Sequence, residues 1–155
     1  MKTLFKMAFI AFGFAFVGCA QKGNVSSNAK QAFEQKFPNA RSVSWEKEHD
    51  GEWEAEFKLD GKKYSANFKE NGTWLETESE IQENEVPAVV SGAMKAEFPA
   101  AKVNEVYKVE RQDGISYEYE IKLNGKKQEV IFDSSGTMQK KKAEENEDDE
   151  NEDDD

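Results

Sequence analysis

Cysteine, histidine and proline are scarce in this chain of 155 residues, which has one cysteine, one histidine and three prolines. The lone cysteine, Cys19, has no partner for an intramolecular disulfide, and it precedes every predicted helix and strand. The lone histidine, His49, lies in a predicted turn beside Asp50 and Gly51, and no nucleophile elbow accompanies it. Neither a Gly-rich phosphate loop nor a Cys/His metal spacing is present. The sequence therefore predicts no catalytic residue, no metal and no cofactor.

The apolar segment near the N-terminus has the layout of a secretory signal peptide. Two lysines precede an uncharged run over residues 7–17, which is shorter than the roughly 20 apolar residues of a membrane-spanning helix. The residues ending at Cys19 resemble a lipoprotein box, whereas the small residues Gly18 and Ala20 equally fit cleavage without lipidation. We therefore expect a leader over 1–20. The expected location is the periplasm, with outer-membrane anchoring if Cys19 is acylated, and secretion as an alternative.

The last twelve residues are strongly acidic. Residues 144–155 contain ten acids and two asparagines. Like charges at this density repel and bury no apolar surface, so a disordered tail is predicted over 143–155. Outside the tail and the leader, 22 acids nearly balance 19 lysines and arginines. No basic face is expected, and nucleic acid is not a predicted partner.

An internal repeat organises the rest of the chain. Phe37-Pro38 returns as Phe98-Pro99 at an offset of 61 residues, and the segment 58–63 returns as 122–127 at an offset of 64. Two copies of one supersecondary unit are therefore predicted. The expected organisation is a linker over 21–27, a first repeat over 28–79 and a second over 86–142.

Each predicted repeat opens with a helix. In the first, Ala29, Phe33 and Phe37 form one apolar stripe, and Ser27 or Asn28 is the expected cap. In the second, the same spacing recurs at three apolar positions, and Pro87 is placed in the first helical turn. Both helices are expected to end before a Phe-Pro pair, because the residue that precedes proline avoids the helical conformation.

After each helix the sequence period changes to two. Apolar and charged residues alternate on both sides of Asp60-Gly61 and of Asn124-Gly125, which is typical of two β-hairpins. Eight strands are expected near residues 42–48, 53–59, 64–68, 73–78, 103–111, 117–123, 128–132 and 137–141. The predicted class is α+β, with two tandem repeats of a helix and a four-stranded antiparallel sheet, and each helix covers one face of its sheet.

Some strand side chains are candidates for binding. Four glutamates recur at matching strand positions, at Glu54, Glu56, Glu118 and Glu120. They point away from the predicted core, and the expectation is a solvated face with ion pairs to nearby lysines rather than a catalytic or calcium site. Trp45 and Trp74 do not fit the alternation, and we predict that they lie on the open face as partner-binding residues, with Tyr107 as a third.

These motifs carry a family resemblance. A helix that ends in Phe-Pro-x-Ala, the strand Val43-Ser44-Trp45, an Asp-Gly hairpin and a second copy of this order resemble the PepSY-like family of β-lactamase-inhibitor-like exported proteins. The resemblance covers roughly 28–142. It implies one continuous curved sheet with the helices on one face, and it marks no binding residue.

The sequence and the resemblance together favour a non-enzymatic binding module of the cell envelope. The expected partner is an envelope protein or peptide, held on the exposed sheet face or in the groove between repeats, with inhibition left open. We expect a monomer or a weak oligomer, and membrane contact only through lipid on Cys19. Two alternatives remain, namely a cation-responsive protein whose acidic tail weakly gathers divalent cations and a hydrolase that uses His49.

Overall fold

The computed structural model describes residues 24–48 and 51–143. Two α-helices, a short 3₁₀ helix and eight strands follow one another along the chain. Their order is α1 (Ser27–Lys36), β1 (Arg41–Lys47), β2 (Glu52–Leu59), β3 (Lys62–Lys69), β4 (Trp74–Glu80), the 3₁₀ helix (Glu83–Glu85), α2 (Ala88–Glu97), β5 (Lys102–Arg111), β6 (Gly114–Leu123), β7 (Lys126–Asp133) and β8 (Met138–Ala143). Within the described residues, no helix is long and apolar enough to cross a membrane.

The helices begin one residue away from the predicted positions and end where expected. Ser26, rather than Ser27 or Asn28, is the N-cap of α1, and it makes no capping bond because its hydroxyl donates to the carbonyl oxygen of Glu70 at 2.5 Å. Pro87 is the N-cap of α2 and lies just outside the helix. Both helices stop before a Phe-Pro pair, as predicted.

All eight strands form one antiparallel sheet in chain order. At the β2–β3 hairpin, Asp60 and Gly61 have φ of 50° and 83°, and at the β6–β7 hairpin Asn124 and Gly125 have 53° and 81°. Positive φ at both central residues matches the strand twist, which is why Asp-Gly and Asn-Gly are favoured there. Between the hairpins, β4 pairs with β5, so the sheet is continuous.

Two glycine turns pack against the first turns of the helices. A Cβ on Gly72 would lie 2.8 Å from the carbonyl oxygen of Asn28 in α1, and one on Gly136 would lie 2.9 Å from that of Val89 in α2. Both glycines also have positive φ, at 87° and 84°. The same close approach therefore fixes each helix against its sheet.

Both helices cover the same face of the sheet, here called the helix face. Under α1, the buried residues are Ala29, Phe33, Trp53, Ala55, Phe57, Ala66 and Phe68. Under α2, they are Val86, Val90, Met94, Phe98, Val106, Tyr117, Tyr119, Ile121, Val130 and Phe132. The protein is thus α+β, with an open eight-stranded sheet and two helices on one face. That its halves are copies of one unit over 28–79 and 86–142 stays a prediction.

Candidate binding surface

The sheet face opposite the helices, here called the open face, is rich in carboxylates. Strand alternation and the observed register assign to it Glu46, Glu54, Glu56, Glu76, Glu78, Glu80, Glu105, Glu118, Glu120 and Glu129. Within residues 24–48 and 51–143, both helices pack on the other side and no helix covers this face. The residues on this face range from buried, as Glu54 and Glu118 are, to exposed, as Glu80 is.

Arg111 holds three strands together on this face. Its Nε donates to Oε2 of Glu76 on β4 at 2.7 Å, and its Nη2 donates to Oε1 of Glu118 on β6 at 3.1 Å. Its Nη1 donates to the hydroxyl of Ser116 at 2.7 Å. A planar guanidinium suits this task because its donors form a rigid fork. The Arg111 side chain is 19% exposed and that of Glu118 only 6%, so water screens this contact weakly.

Four open-face carboxyls, Glu54, Glu76, Glu78 and Glu118, have raised pKa values, and burial is the largest cause for each. Burial raises the pKa of Glu54 to about 8, with a further contribution from the nearby carboxylates Glu48 and Glu56, against a lowering hydrogen bond from Ser65. Burial, reinforced by Glu76, raises the pKa of Glu78 to about 9. Burial also raises the pKa of Glu118 to about 7, and the contact with Arg111 opposes that rise. Desolvation disfavours the charged form of a carboxyl, and like charges act in the same direction.

In the first half of the open face, short side chains of β3 separate the carboxylates of β2 from those of β4. Glu54 of β2 lies opposite Asn67 of β3, and Asn67 lies opposite Glu76 of β4. In the next row, Ser65 separates Glu56 from Glu78. Since neighbouring strands lie about 4.8 Å apart, roughly 10 Å separates the backbones of the two acidic strands. Only short side chains lie between them.

Tyr107 lies on the open face in the second half of the sheet. It is half-buried and faces Glu80 on β4 and Glu118 on β6. Its hydroxyl donates to Oε2 of Glu105 at 2.6 Å, and burial together with this bond raises the pKa of the phenol. An aromatic ring held in place beside carboxylates is a suitable anchor for a partner. The proposed binding role of Tyr107 stays a prediction.

The prediction that Trp45 and Trp74 lie on the open face is wrong. The Trp45 ring lies 5.3 Å from the ring of Phe33 in α1, and the Trp74 ring lies 3.7 Å below Nζ of Lys36. Both rings pack against the core under α1. Irregular register at Arg41/Ser44 and at Asn67/Phe68 is the physical reason, because a bulge changes which residues face the core.

The prediction of solvated glutamates with lysine partners is wrong for two of the four. Glu54 is 6% exposed and Glu118 is 5% exposed. Glu54 lies between Glu46 and Asn67 of the adjacent strands, and Glu118 lies between Tyr107 and Ile131. Near the hairpins, Lys58 lies opposite Lys63 and Lys122 lies opposite Lys127 in the strand register. For Glu54 the sequence contained one signal, the short Asn67 across from it, which leaves room for the carboxyl to pack against the sheet.

Several predicted features lie outside the described residues, namely Cys19, the leader, His49 and the acidic tail. Of the residues that the structure describes, no group of three or more His, Cys, Asp or Glu side chains is arranged to hold a metal ion. The cation hypothesis was based on the tail, so it stays a prediction.

Comparison with known proteins identifies the family. The model of the family described as "Putative beta-lactamase-inhibitor-like, PepSY-like" matches residues 51–140, which is more than half of the chain. The chain belongs to this PepSY-like family. The family resemblance predicted from the sequence motifs is therefore confirmed. No curated protein matches the chain.

Solved structures share the fold of this PepSY-like chain. A BLIP-like protein of Bacteroides fragilis is 26% identical, with a TM-score of 0.69 over 80% of this chain and 89% of that chain. A DUF2874 family protein of Bacteroides ovatus is 19% identical, with a TM-score of 0.72 over 78% and 89%. A protein of Bacteroides eggerthii described as a "putative periplasmic" protein is 20% identical, with a TM-score of 0.71 over 78% and 90%.

Proposed function

We propose that this chain is a non-enzymatic binding module of the periplasm that takes a protein or peptide partner on the open face of its sheet. One observation carries the proposal. Both helices pack on the helix face, whereas the open face concentrates carboxylates and Tyr107 with no helix of the described residues over them. Burying carboxylates such as Glu54 and Glu118 costs free energy. A sheet face that served only to keep the protein in solution would not need them.

The division of aromatic residues between the faces supports this choice. Trp45 and Trp74 pack under α1, where they stabilise the core. Tyr107 is left on the open face, with Val109 fully buried beside it on β5. Aromatic anchors with packed surroundings and a polar rim are the usual centres of protein interfaces. Tyr107 is accordingly the proposed anchor, and Trp45 and Trp74 are proposed to act on binding only through folding.

The family and the predicted leader support the proposed periplasmic location and the proposed binding function. The uncharged run over residues 7–17 has the layout of an export signal. The B. eggerthii neighbour is described as periplasmic, and we propose the same compartment here. The B. fragilis relative is described as BLIP-like, which favours binding rather than catalysis. Inhibition would follow if the partner is an enzyme whose active site the open face covers.

Site-specific photo-crosslinking in the periplasm tests the proposal. A photoreactive phenylalanine at Glu80, an exposed position of β4 opposite Tyr107, samples the open face. The matched control carries the same group at Val89 of α2, which is 54% exposed on the other side. We expect a discrete adduct from position 80 and none of the same mass from position 89. The adduct is identified by mass spectrometry.

The partner identified in the adduct is then purified, and its binding to this chain completes the test. Titration calorimetry compares the parent with Tyr107→Ala and with Val89→Ala. We expect Tyr107→Ala to weaken binding by about tenfold or more, as for a buried aromatic anchor, and Val89→Ala to leave it unchanged. Adducts that form equally from both positions, or affinities insensitive to Tyr107, would contradict an open-face site.

A further inference from the structure

A cleft lies on the helix side of the second half of the sheet, between α2, the 3₁₀ helix and the start of β5. Its volume is about 820 Å³, within the range of roughly 300–1,000 Å³ that is usual for small-molecule sites. Apolar side chains make up much of its lining, among them Val86, Met94, Phe98 and Val103. The cleft is thus on the opposite side of the sheet from the open face.

The core under α2 contains fewer large rings than the core under α1. In the first half, Phe33 of α1 meets the ring of Trp45 on β1 at 5.3 Å. In the second half, α2 presents Met94 to its core and β5 presents Val106. Aliphatic side chains fill less space than these rings, so room remains beside α2.

Tyr119 of β6 brings a buried polar group to this cleft. The residue lines the cleft and is 2% exposed, and its hydroxyl has no hydrogen-bond partner among the residues that the structure describes. Burial, together with the carboxylate of Glu83 on the rim, raises the pKa of the phenol to about 12, so the hydroxyl keeps its proton and can donate it. A buried hydroxyl without a partner is unfavourable, and an acceptor in the cleft would remove that cost.

The side chain of Met94 gives the cleft some freedom to adjust. It lines the cleft and belongs to the same core cluster as Tyr119. Methionine is unbranched and adapts readily to the shape of its neighbours. A small movement of this side chain would therefore admit a ligand atom to the Tyr119 hydroxyl.

The charges on the rim favour a neutral ligand. The charged residues that line the cleft are Glu83 of the 3₁₀ helix and Lys95 of α2, and both are exposed. Because their charges are opposite, the rim as a whole favours neither an anion nor a cation. An ionised group beside Tyr119 would also lose its hydration in a largely apolar site.

We propose that this cleft binds a small, neutral and mostly apolar molecule whose carbonyl oxygen accepts a hydrogen bond from the Tyr119 hydroxyl. The apolar part of the ligand packs against Met94, Phe98 and Val103, and burial of its surface supplies most of the affinity. The hydrogen bond selects a carbonyl compound over a hydrocarbon of the same shape. The site does not depend on the proposed function, because the partner's surface lies on the other face of the sheet.

The test uses the full chain and two matched probes. Acetylnaphthalene carries the carbonyl, and ethylnaphthalene has a methylene group in its place. Among the described residues, isotopic labelling of methionine methyl groups gives two nuclear magnetic resonance reporters, Met94 in the cleft and Met138 on β8, which is 41% exposed. We expect acetylnaphthalene to shift the Met94 signal to saturation and to leave the Met138 signal in place.

The hydrogen bond is tested by removing the hydroxyl alone. Tyr119→Phe should lower the ratio of acetylnaphthalene affinity to ethylnaphthalene affinity by about threefold to tenfold, the worth of one hydrogen bond. It should keep the fold, because the lost hydroxyl has no partner among the described residues. Tyr117→Phe is the matched control, since Tyr117 is buried two positions away on β6 and does not line the cleft. It should leave the ratio unchanged.

The location of the site is tested by filling the cleft. Ser91 is half-buried on α2 and lines the cleft, so Ser91→Leu should abolish binding of both probes. Val89→Leu adds bulk to the same helix at a position that is 54% exposed and outside the cleft, and it should bind as the parent does. The melting temperature of each variant verifies that it is folded.

A charged probe tests the preference for a neutral ligand. Naphthoate has the same ring with a carboxylate in place of the ketone. It should bind at least about tenfold more weakly than acetylnaphthalene, because its charge would lose hydration in the cleft.

Several results would overturn the proposal. These are an affinity ratio that is the same in Tyr119→Phe and the parent, equal shifts at Met94 and Met138, no shift at either, undiminished binding in folded Ser91→Leu, or tighter binding of naphthoate than of acetylnaphthalene. The crosslink from position 80 samples the other face, so none of these results bears on the open-face function.

Discussion

Arg111 of β5 donates to Oε2 of Glu76 of β4 at 2.7 Å, across the strand pair that joins the two halves of the sheet. The same guanidinium reaches Glu118 of β6. The Arg111 and Glu76 side chains are only 19% and 15% exposed. A partly buried guanidinium with two carboxylates therefore lies at the junction of the halves.

Replacing Arg111 should destabilise the protein strongly. Arg111→Met removes the cation and leaves Glu76 and Glu118 in place, and an uncompensated buried charge costs about 3–5 kcal/mol. The loss should be smaller at about pH 5, because both carboxyls can then take up a proton. Urea unfolding at the two pH values measures the difference. Lys62→Met is the control, because it breaks an exposed ion pair with Glu85 and should change stability little at either pH.

Alanine in place of either turn glycine should also destabilise the fold. At Gly72 and Gly136 a Cβ would press on a helix carbonyl oxygen at 2.8 Å and 2.9 Å, at positive φ. We expect each substitution to cost more than about 1 kcal/mol, because strain adds to the steric contact. Gly92→Ala in α2 is the opposite control, since a Cβ there would meet no atom within 4 Å apart from its chain neighbours and the helix's own backbone. It should stabilise the protein by up to about 1 kcal/mol. A Gly72→Ala variant as stable as the parent would contradict this role of the turn.

Much of the fold could be predicted because its signals are local. Asp60-Gly61 and Asn124-Gly125 each specify a hairpin turn by their tolerance of positive φ, and they set the register of the strands beside them. The two Phe-Pro pairs end the helices for an equally local reason. Turn chemistry and proline sterics act within a few residues, so they can be recognised without tertiary structure.

The site could be predicted only in part because it depends on register and burial. Alternation assigned Glu54 to the face away from the core, but not its burial, which follows from neighbouring strands on both sides. The contacts of Arg111 with Glu76 need the pairing of β4 with β5, which are 35 residues apart at this point. Trp45 and Trp74 do not fit the alternation, but the sequence does not show that bulges turn both rings toward α1. These features are set by long-range pairing.

The placement of the tryptophans leads to a prediction that separates folding from binding. Trp45→Ala and Trp74→Ala should each lower the free energy of unfolding by more than about 1 kcal/mol, because each removes packing under α1. Below the melting temperature, both variants should bind the partner as the parent does. Unfolding by urea and titration calorimetry measure the two effects. If a variant kept normal stability but no longer bound the partner, the prediction would be wrong and that tryptophan would belong to the binding surface.

The raised pKa values of Glu54, Glu78 and Glu118 predict that stability falls as pH rises. These groups have ordinary values near 4.5 when exposed and values of about 8, 9 and 7 in the folded chain. Between these limits the folded state binds more protons than the unfolded state. The stabilisation is therefore fully present below the ordinary value and is lost as pH passes through the raised values. The melting temperature should drop from about pH 5 to about pH 9, the window between the ordinary value and the raised values of Glu54 and Glu78.

The double variant Glu54→Gln, Glu78→Gln should flatten that dependence, because glutamine has no proton to lose. At about pH 9 it should melt at least about 4 °C above the parent, since 1 kcal/mol corresponds to roughly that shift in a domain of this size. Glu34→Gln, which removes one exposed carboxyl from α1, should keep the slope of the parent and so excludes an effect of net charge alone. If the double variant and the parent lose stability equally toward high pH, the buried carboxyls are not its source.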